Sequence, residues 1–171
     1  MEYRLYKPAD FPALYAVEEL CFQPPWRFSR AYMRQIVRNP QSATWIAEEG
    51  SDLAGLVVVQ WKARQGEPTA YIETIEVHPE WRGRGIGVEL LGRAEGSARA
   101  AGARAIGLHV RVDNETAIRL YESHGYTCRG REEYYYAREP ALFYAKPLSE
   151  SPKARQNSDS RKINTSPHVP K

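Results

Sequence analysis

Trp81-Arg82-Gly83-Arg84-Gly85-Ile86-Gly87 follows a strand-like run, Tyr71-Ile72-Glu73-Thr74-Ile75-Glu76-Val77, and opens a helix-like run, Val88-Glu89-Leu90-Leu91. Glycines here let backbone N–H groups approach a ligand with no Cβ in the way. The N-terminus of the following helix adds N–H donors and a partial positive charge. Arg82 and Arg84 add full charges. The stretch reads as a pyrophosphate cradle. A helix start that uses glycines only for close packing is the plainer alternative. The agreement of arginines, strand and helix in order weighs against it.

Two common phosphate loops do not fit. A nucleotide-triphosphate loop needs Lys and then Ser or Thr after its last glycine; here Gly87 is followed by Val88 and Glu89. A dinucleotide fingerprint counted from Gly83 would place its last glycine at Val88.

The spacing Arg82-x-x-Gly85-x-Gly87 resembles the acetyl-CoA pyrophosphate motif of the GCN5-related N-acetyltransferase superfamily, Gln/Arg-x-x-Gly-x-Gly/Ala between the fourth strand and the third helix. The resemblance assigns acetyl-CoA to Arg82, Gly83, Arg84, Gly85, Ile86, Gly87 and Val88. It also implies that the backbone of Ile75, Glu76 and Val77 pairs with the pantetheine arm as an added strand would.

Length and composition agree with that fold. A chain of 171 residues is one domain by length, and 42% hydrophobic and 11% aromatic residues suit a globular core. No apolar run is long enough for a signal peptide or a membrane span, so a cytoplasmic location without membrane contact is expected. Cys21 and Cys128 lie far apart and read as free thiols. His78, His109, His124 and His168 are scattered, and no metal site is expected.

From Glu150 to Lys171 the chain carries five basic and two acidic residues, which accounts for the whole formal charge of +3. The remainder is formally neutral and is no nucleic-acid surface. Residues 149–171 read as a disordered basic tail beyond a 1–148 domain. Weak contact of that tail with RNA or the ribosome is the alternative.

Hydrophobic periodicity gives the order β-α-α-β-β-β-α-β-α-β-β. Asp10 is expected to cap a helix over 11–22, with Phe11, Leu14, Val17, Leu20 and Cys21 on one face. Ser29 caps a second helix ended by Asn39-Pro40. A hairpin turns at Gly50-Ser51-Asp52, and a polar loop spans 64–69. Gly102 stops the helix after the glycine loop. Asn114 caps the last helix and Gly125 closes it. The final hairpin turns at Arg138-Glu139-Pro140. The order resembles the same superfamily over 1–148. It implies an α/β (α+β) fold, a mixed, twisted sheet of six to seven strands flanked by four helices and splayed between strands four and five.

Acetyl transfer from a thioester to an amine requires a base for the amine, donors for the oxyanion and an acid for the thiolate. Leu108-His109-Val110-Arg111-Val112-Asp113-Asn114-Glu115-Thr116-Ala117-Ile118-Arg119-Leu120-Tyr121 resembles a segment of N-terminal α-amine acetyltransferases. The resemblance makes Tyr121 the general acid beside the CoA sulfur and Asn114 a cofactor contact. Imidazole, with a pKa near 6.5, suits an α-amine of about 7.7–8.0, so His109 is the candidate base; a structural histidine bonded to the sheet is the alternative. Tyr71 stands six residues before Val77, where lysine-acetylating members place a glutamate, and resembles the tyrosine that holds a water with histidine in one eukaryotic type. Glu73 shares its strand face and is the alternative base. By resemblance Phe22, Pro25 and Trp26 grip the first residue of a protein or peptide N-terminus, and Tyr134 and Tyr135 hold its backbone. Bacterial relatives that acetylate a ribosomal protein's N-terminal alanine carry glutamate where this chain has His109. Acetylation of a small amine or a lysine, and CoA binding without catalysis, are the alternative functions.

Overall fold

The computed structural model describes residues 1–62, 68–136 and 139–148. Most of the loop read at 64–69, the turn residue Arg138 and the tail 149–171 lie outside them. In chain order the elements are β1 (Glu2–Leu5), α1 (Phe11–Cys21), α2 (Arg30–Arg38), β2 (Ser42–Glu49), β3 (Asp52–Lys62), β4 (Thr69–Val77), α3 (Ile86–Ala100), β5 (Ala105–Arg111), α4 (Glu115–Ser123), β6 (Thr127–Tyr136) and β7 (Glu139–Pro147). The strands form one seven-stranded sheet in the order β1-β2-β3-β4-β5-β7-β6. Among the described residues only β4 and β5 pair in parallel, and the other pairs are antiparallel.

Strand alternation splits the core into two layers. On β3, Leu56 and Val58 face α1 and α2, where Leu14, Val17, Met33 and Ile36 are buried. Val57 and Val59 face the other way, against Leu90, Leu91, Ala94 and Ala98 of α3 and Tyr121 of α4. Fully burying each Leu or Ile contributes about 1.5–3 kcal/mol. This two-sided burial explains why β3 reads as a continuous apolar run.

The local signals hold at most element ends. Ser29 Oγ accepts from the N–H of Tyr32 at 3.1 Å, and Asn114 Oδ1 accepts from that of Ala117 at 3.2 Å. Asp10 is a correction. Its backbone is already helical at φ −76°, and its side chain makes no cap bond to α1. Its carboxylate instead binds Arg4 at 2.7 and 2.9 Å and accepts from the Lys7 N–H at 2.6 Å, beneath a short 3-10 turn. Arg4 also bonds Glu48 of β2, so a charge network recruits the residue that spacing assigned to the cap. Leu20 is a second correction. It is 55% exposed, and Tyr15 and Glu18 take the buried face with Phe11, Leu14 and Val17.

The sheet opens between β4 and β5. Thr69, Ala70 and Tyr71 pair with Ala105, Ile106 and Gly107, and there the ladder stops. β4 continues beside β3 to Val77, and β5 continues beside β7 to Arg111. One residue of β4, Glu73, has no partner on β3, because the register shifts between Val58 and Val59. Such a bulge re-aims neighbouring side chains. At and beyond it, Glu73 meets Tyr32 of α2 and Glu76 meets Glu18 of α1.

Candidate active site

A cleft of about 580 Å³ runs through this opening. One end is the glycine loop. Gly83 and Gly85 have φ of +75° and +77°, and a Cβ on either would meet nothing within 4 Å. These glycines are required by the backbone path and leave open space above it. The first helical hydrogen bond in this turn is Glu89 N–H to Gly85 carbonyl, at 3.2 Å. The N–H groups of Ile86, Gly87 and Val88 therefore precede the helical ladder, as at any helix start. Ile75, Val77, Arg82 and Asn114 line the same cleft. Arg82 Nε donates to the Val77 carbonyl at 3.1 Å, and the Arg84 guanidinium lies 4.7 Å from the Trp81 ring centroid. An open β4 edge, a turn of N–H donors ahead of the helical ladder and the Arg82 cation fit a pantetheine arm and a pyrophosphate.

A cluster of proton-carrying side chains stands where β4 and β5 part. The Tyr71 hydroxyl lies 2.9 Å from His109 Nδ1 and 2.7 Å from the Tyr135 hydroxyl. The Tyr135 ring stacks on the imidazole, 4.0 Å between centroids and 12° between planes. Phe143 of β7 contacts the imidazole at 4.9 Å. Gly107 makes this possible, since a Cβ there would sit 2.8 Å from the Phe143 ring. His109 Nε2 is buried without a hydrogen bond, and Glu132 Oε1 lies 3.1 Å away at ion-pair distance but off the ring's N–H direction. Glu73 accepts from the Tyr32 hydroxyl at 3.0 Å, and burial raises its carboxyl above the ordinary range. Burial likewise raises the Tyr135 phenol.

Tyr121 enters from α4. It is 4% exposed, lines the cleft, and packs near the rings of Tyr126 and Tyr144. Asn114 caps the same helix and lines the same cleft.

The α1–α2 connection closes the opposite wall. Phe22, Trp26 and Phe28 line it, and the Arg111 guanidinium sits 4.0 Å from the Trp26 ring centroid. Beneath them lies a buried carboxyl pair, Glu18 of α1 and Glu76 of β4. Glu18 Oε1 accepts from the Phe28 N–H at 2.6 Å, and Glu76 Oε1 accepts from Thr74 Oγ1 at 2.8 Å. Each Oε2 is buried with no donor from the protein, and the two side chains are in contact. Burial first, then their mutual proximity, raises Glu76 well above the carboxylate range; burial raises Glu18 too. Two facing acceptors are satisfied only when they share a proton. Cys21 stands nearby, its thiol pushed up to about 11 by burial and donating to the Val77 carbonyl.

The structure thus brings Tyr71, His109 and Tyr135 into contact and sets Glu73, Tyr121, Phe22 and Trp26 around the same cleft. Pro25 is exposed, and Tyr134 is 81% exposed on the edge strand. Neither lines the cleft, nor does Arg84, and Tyr71 and Tyr135 reach it only through His109, which does. Glu76, read for its backbone, also carries a side chain at the floor of the cleft. The sequence reading missed Glu18, Glu132 and Phe143. Only Glu18 left a signal: a carboxylate one helical turn from Leu14 on an apolar face.

The model of the Acetyltransferase (GNAT) family matches residues 11–126. The chain belongs to this family: it is an N-acetyltransferase with acetyl-CoA as acetyl donor. Similar solved structures include the ribosomal-protein-S18-alanine N-acetyltransferase of Escherichia coli, with a TM-score of 0.75 and 23% identity, covering 88% of this chain and 95% of that one. NAA60 of Arabidopsis thaliana, solved with a bisubstrate analogue, gives 0.76 and 20%, covering 88% and 99%. A nourseothricin acetyltransferase gives 0.68 and 28%, covering 86% and 98%. Among the described residues, no helix is long and apolar enough to cross a membrane, and no cluster of His, Cys, Asp and Glu could hold a metal.

Proposed function

We propose that this enzyme acetylates the free α-amino group of a protein or peptide N-terminus by direct attack in a ternary complex. The observation that carries this reading is the Tyr71–His109 contact at 2.9 Å, a phenol–imidazole pair at the mouth of the opening. An α-amine, with a pKa of about 7.7–8.0, needs only a modest base, whereas a lysine at about 10.4 needs more. His109 with Tyr71 takes the amine proton, directly or through water. Glu73 is the weaker candidate, because its carboxylate is engaged by Tyr32. Bound acetyl-CoA supplies an activated thioester. Arg82 to Val88 hold its pyrophosphate, the Ile75–Val77 backbone its arm, and Asn114 adds a contact. Tyr121 protonates or hydrogen-bonds the departing thiolate.

Phe22 and Trp26 enclose the first residue of the acceptor, with Pro25 and Tyr134 at the rim and Tyr135 beside its backbone. Catalysis belongs to residues 1–148, with 149–171 as an extension that contacts the ribosome weakly or not at all. Two free thiols suit a cytoplasmic setting.

A panel of peptides tests the reading, with free N-termini (a ribosomal-protein sequence starting with alanine among them) set against N-terminally blocked peptides bearing lysine. Turnover confined to free N-termini is expected; comparable rates on blocked lysine peptides overturn it. The likeness to a nourseothricin acetyltransferase favours a second reading, a small-molecule amine as acceptor. Turnover on such amines with none on any peptide would establish that instead.

A further inference from the structure

We propose that Glu132 is a positioning residue: its carboxylate holds His109 in the tautomer that carries hydrogen on Nε2, so that Nδ1 accepts from Tyr71. This rests on the reading of His109 as the base. Neutral imidazole has one N–H and one lone pair. Nδ1 lies 2.9 Å from the Tyr71 hydroxyl, and the buried Nε2 lies 3.1 Å from Glu132 Oε1. With hydrogen on Nδ1, the Nε2 lone pair would face a carboxylate oxygen, two acceptors together, one of them buried. With hydrogen on Nε2, that N–H lies beside an anion, which attracts it even off line. A small rotation of Glu132, whose side chain is 56% exposed, brings the two into line.

The surroundings allow this choice and restrict others. Tyr135 stacks on the imidazole and Phe143 packs against it at a tilt. The flanking residues on β6, Arg131 and Glu133, pair with each other at 2.7 Å, and strand alternation turns Glu132 toward the other face. Arg111 of β5 is taken up by Asp113 and the Trp26 ring. The tautomer also orders the hydroxyls: Tyr71 donates to Nδ1, and in the 2.7 Å contact Tyr135 donates to Tyr71.

This arrangement gives the proton a route. As the N–C bond forms and the C–S bond breaks, the amine gives one proton to the Tyr71 oxygen, directly or through water, and the Tyr71 proton passes to Nδ1. The imidazolium is paired with Glu132 and returns its extra proton to solvent after the amide leaves. Tyr121 supplies the thiolate's proton and regains one from solvent.

Glu132 is exposed on an edge strand, so Glu132→Ala is expected to fold. Nitrogen-15 NMR reports the His109 tautomer, with the signal assigned by its loss in His109→Ala. The wild type should show the Nε2–H form. Glu132→Ala should mix the tautomers and lower kcat on a free-amine peptide by about tenfold, the lower end of what orienting partners of functional histidines supply, with KM little changed. Glu132→Gln, which keeps an acceptor oxygen, should restore the Nε2–H form. In a His109→Ala background, Glu132→Ala should cost nothing further. An Nδ1–H wild type, or a Glu132→Ala protein with unchanged tautomer and rate, overturns the proposal. If His109→Ala keeps the wild-type rate, the base assignment is what fails. The tautomer comparison then still upholds or overturns the hold of Glu132 on the ring.

Discussion

The Tyr71 hydroxyl on β4 lies 2.9 Å from Nδ1 of His109 on β5, and Tyr71 is the last residue through which those strands pair. Its partner is Gly107, two residues before His109 and on the same strand face. The contact therefore spans the first gap in the ladder. The break that opens the cleft also brings the phenol and the imidazole together at its edge.

That contact makes Tyr71 and His109 a unit. General acid–base catalysis contributes about 10²–10⁴-fold, so His109→Ala should lower kcat/KM on a free-amine peptide by about 100-fold. Tyr71→Phe should lose about tenfold, and the double variant less than the product of the two. Thiol release monitored with peptide in excess measures each. Multiplicative losses would show that the two side chains act separately.

Tyr121 reaches the cleft from α4, a different element from those that carry Tyr71 and His109. Tyr121→Phe should slow turnover by about tenfold or more and leave acetyl-CoA affinity nearly unchanged, by calorimetric titration. A large loss of affinity with normal turnover would make Tyr121 a wall of the cofactor channel only.

Gly107 is required by a neighbour rather than by its own backbone. A methyl group there would sit 2.8 Å from the Phe143 ring, which supports the imidazole. Gly107→Ala should cost about 1–3 kcal/mol of stability, the scale of overpacking a core, and should lower kcat by shifting the ring behind His109. Thermal unfolding and steady-state rates on one sample check both. An unchanged rate at lowered stability would separate Phe143 from the site.

The Glu18–Glu76 pair predicts a pH-dependent stability. Burial, then proximity, raises the Glu76 carboxyl in the folded protein, so the folded state binds that proton more tightly than the unfolded chain does. The contribution is fully present below the ordinary carboxylate pKa of about 4.3 and is lost as pH rises through the raised folded value. Glu76→Gln removes this ionisation and offers Glu18 an amide donor. It should be more stable than wild type by about 1–2 kcal/mol at pH 8, the scale of satisfying a buried polar group, with the gain shrinking toward pH 5. Equal Tm differences at the two pH values would rule out a shared proton.

Much of the fold was legible because its signals are local. Ser29 and Asn114 bond N–H groups three residues away, and the positive φ of Gly83, Gly85, Gly102 and Gly125 is a property of single residues. Asp10 and Leu20 show where local reasoning ends. Arg4 and Glu48, from two strands, drew the Asp10 side chain away from the helix, and Leu20 lost its place to Glu18, which had a buried partner on β4.

By itself, then, the sequence determined the order of elements and the glycine-rich turn, because spacing along one chain suffices for each, while Tyr71, His109 and Tyr121 stood out through their resemblance to family segments. Tertiary structure decided which side chains meet. The register shift at Glu73, the end of the ladder at Tyr71 and Gly107, and the approach of Glu132, Tyr135 and Phe143 to one imidazole all depend on strand pairing between segments far apart in sequence. A one-residue slip in that pairing would turn each side chain to the other face of the sheet.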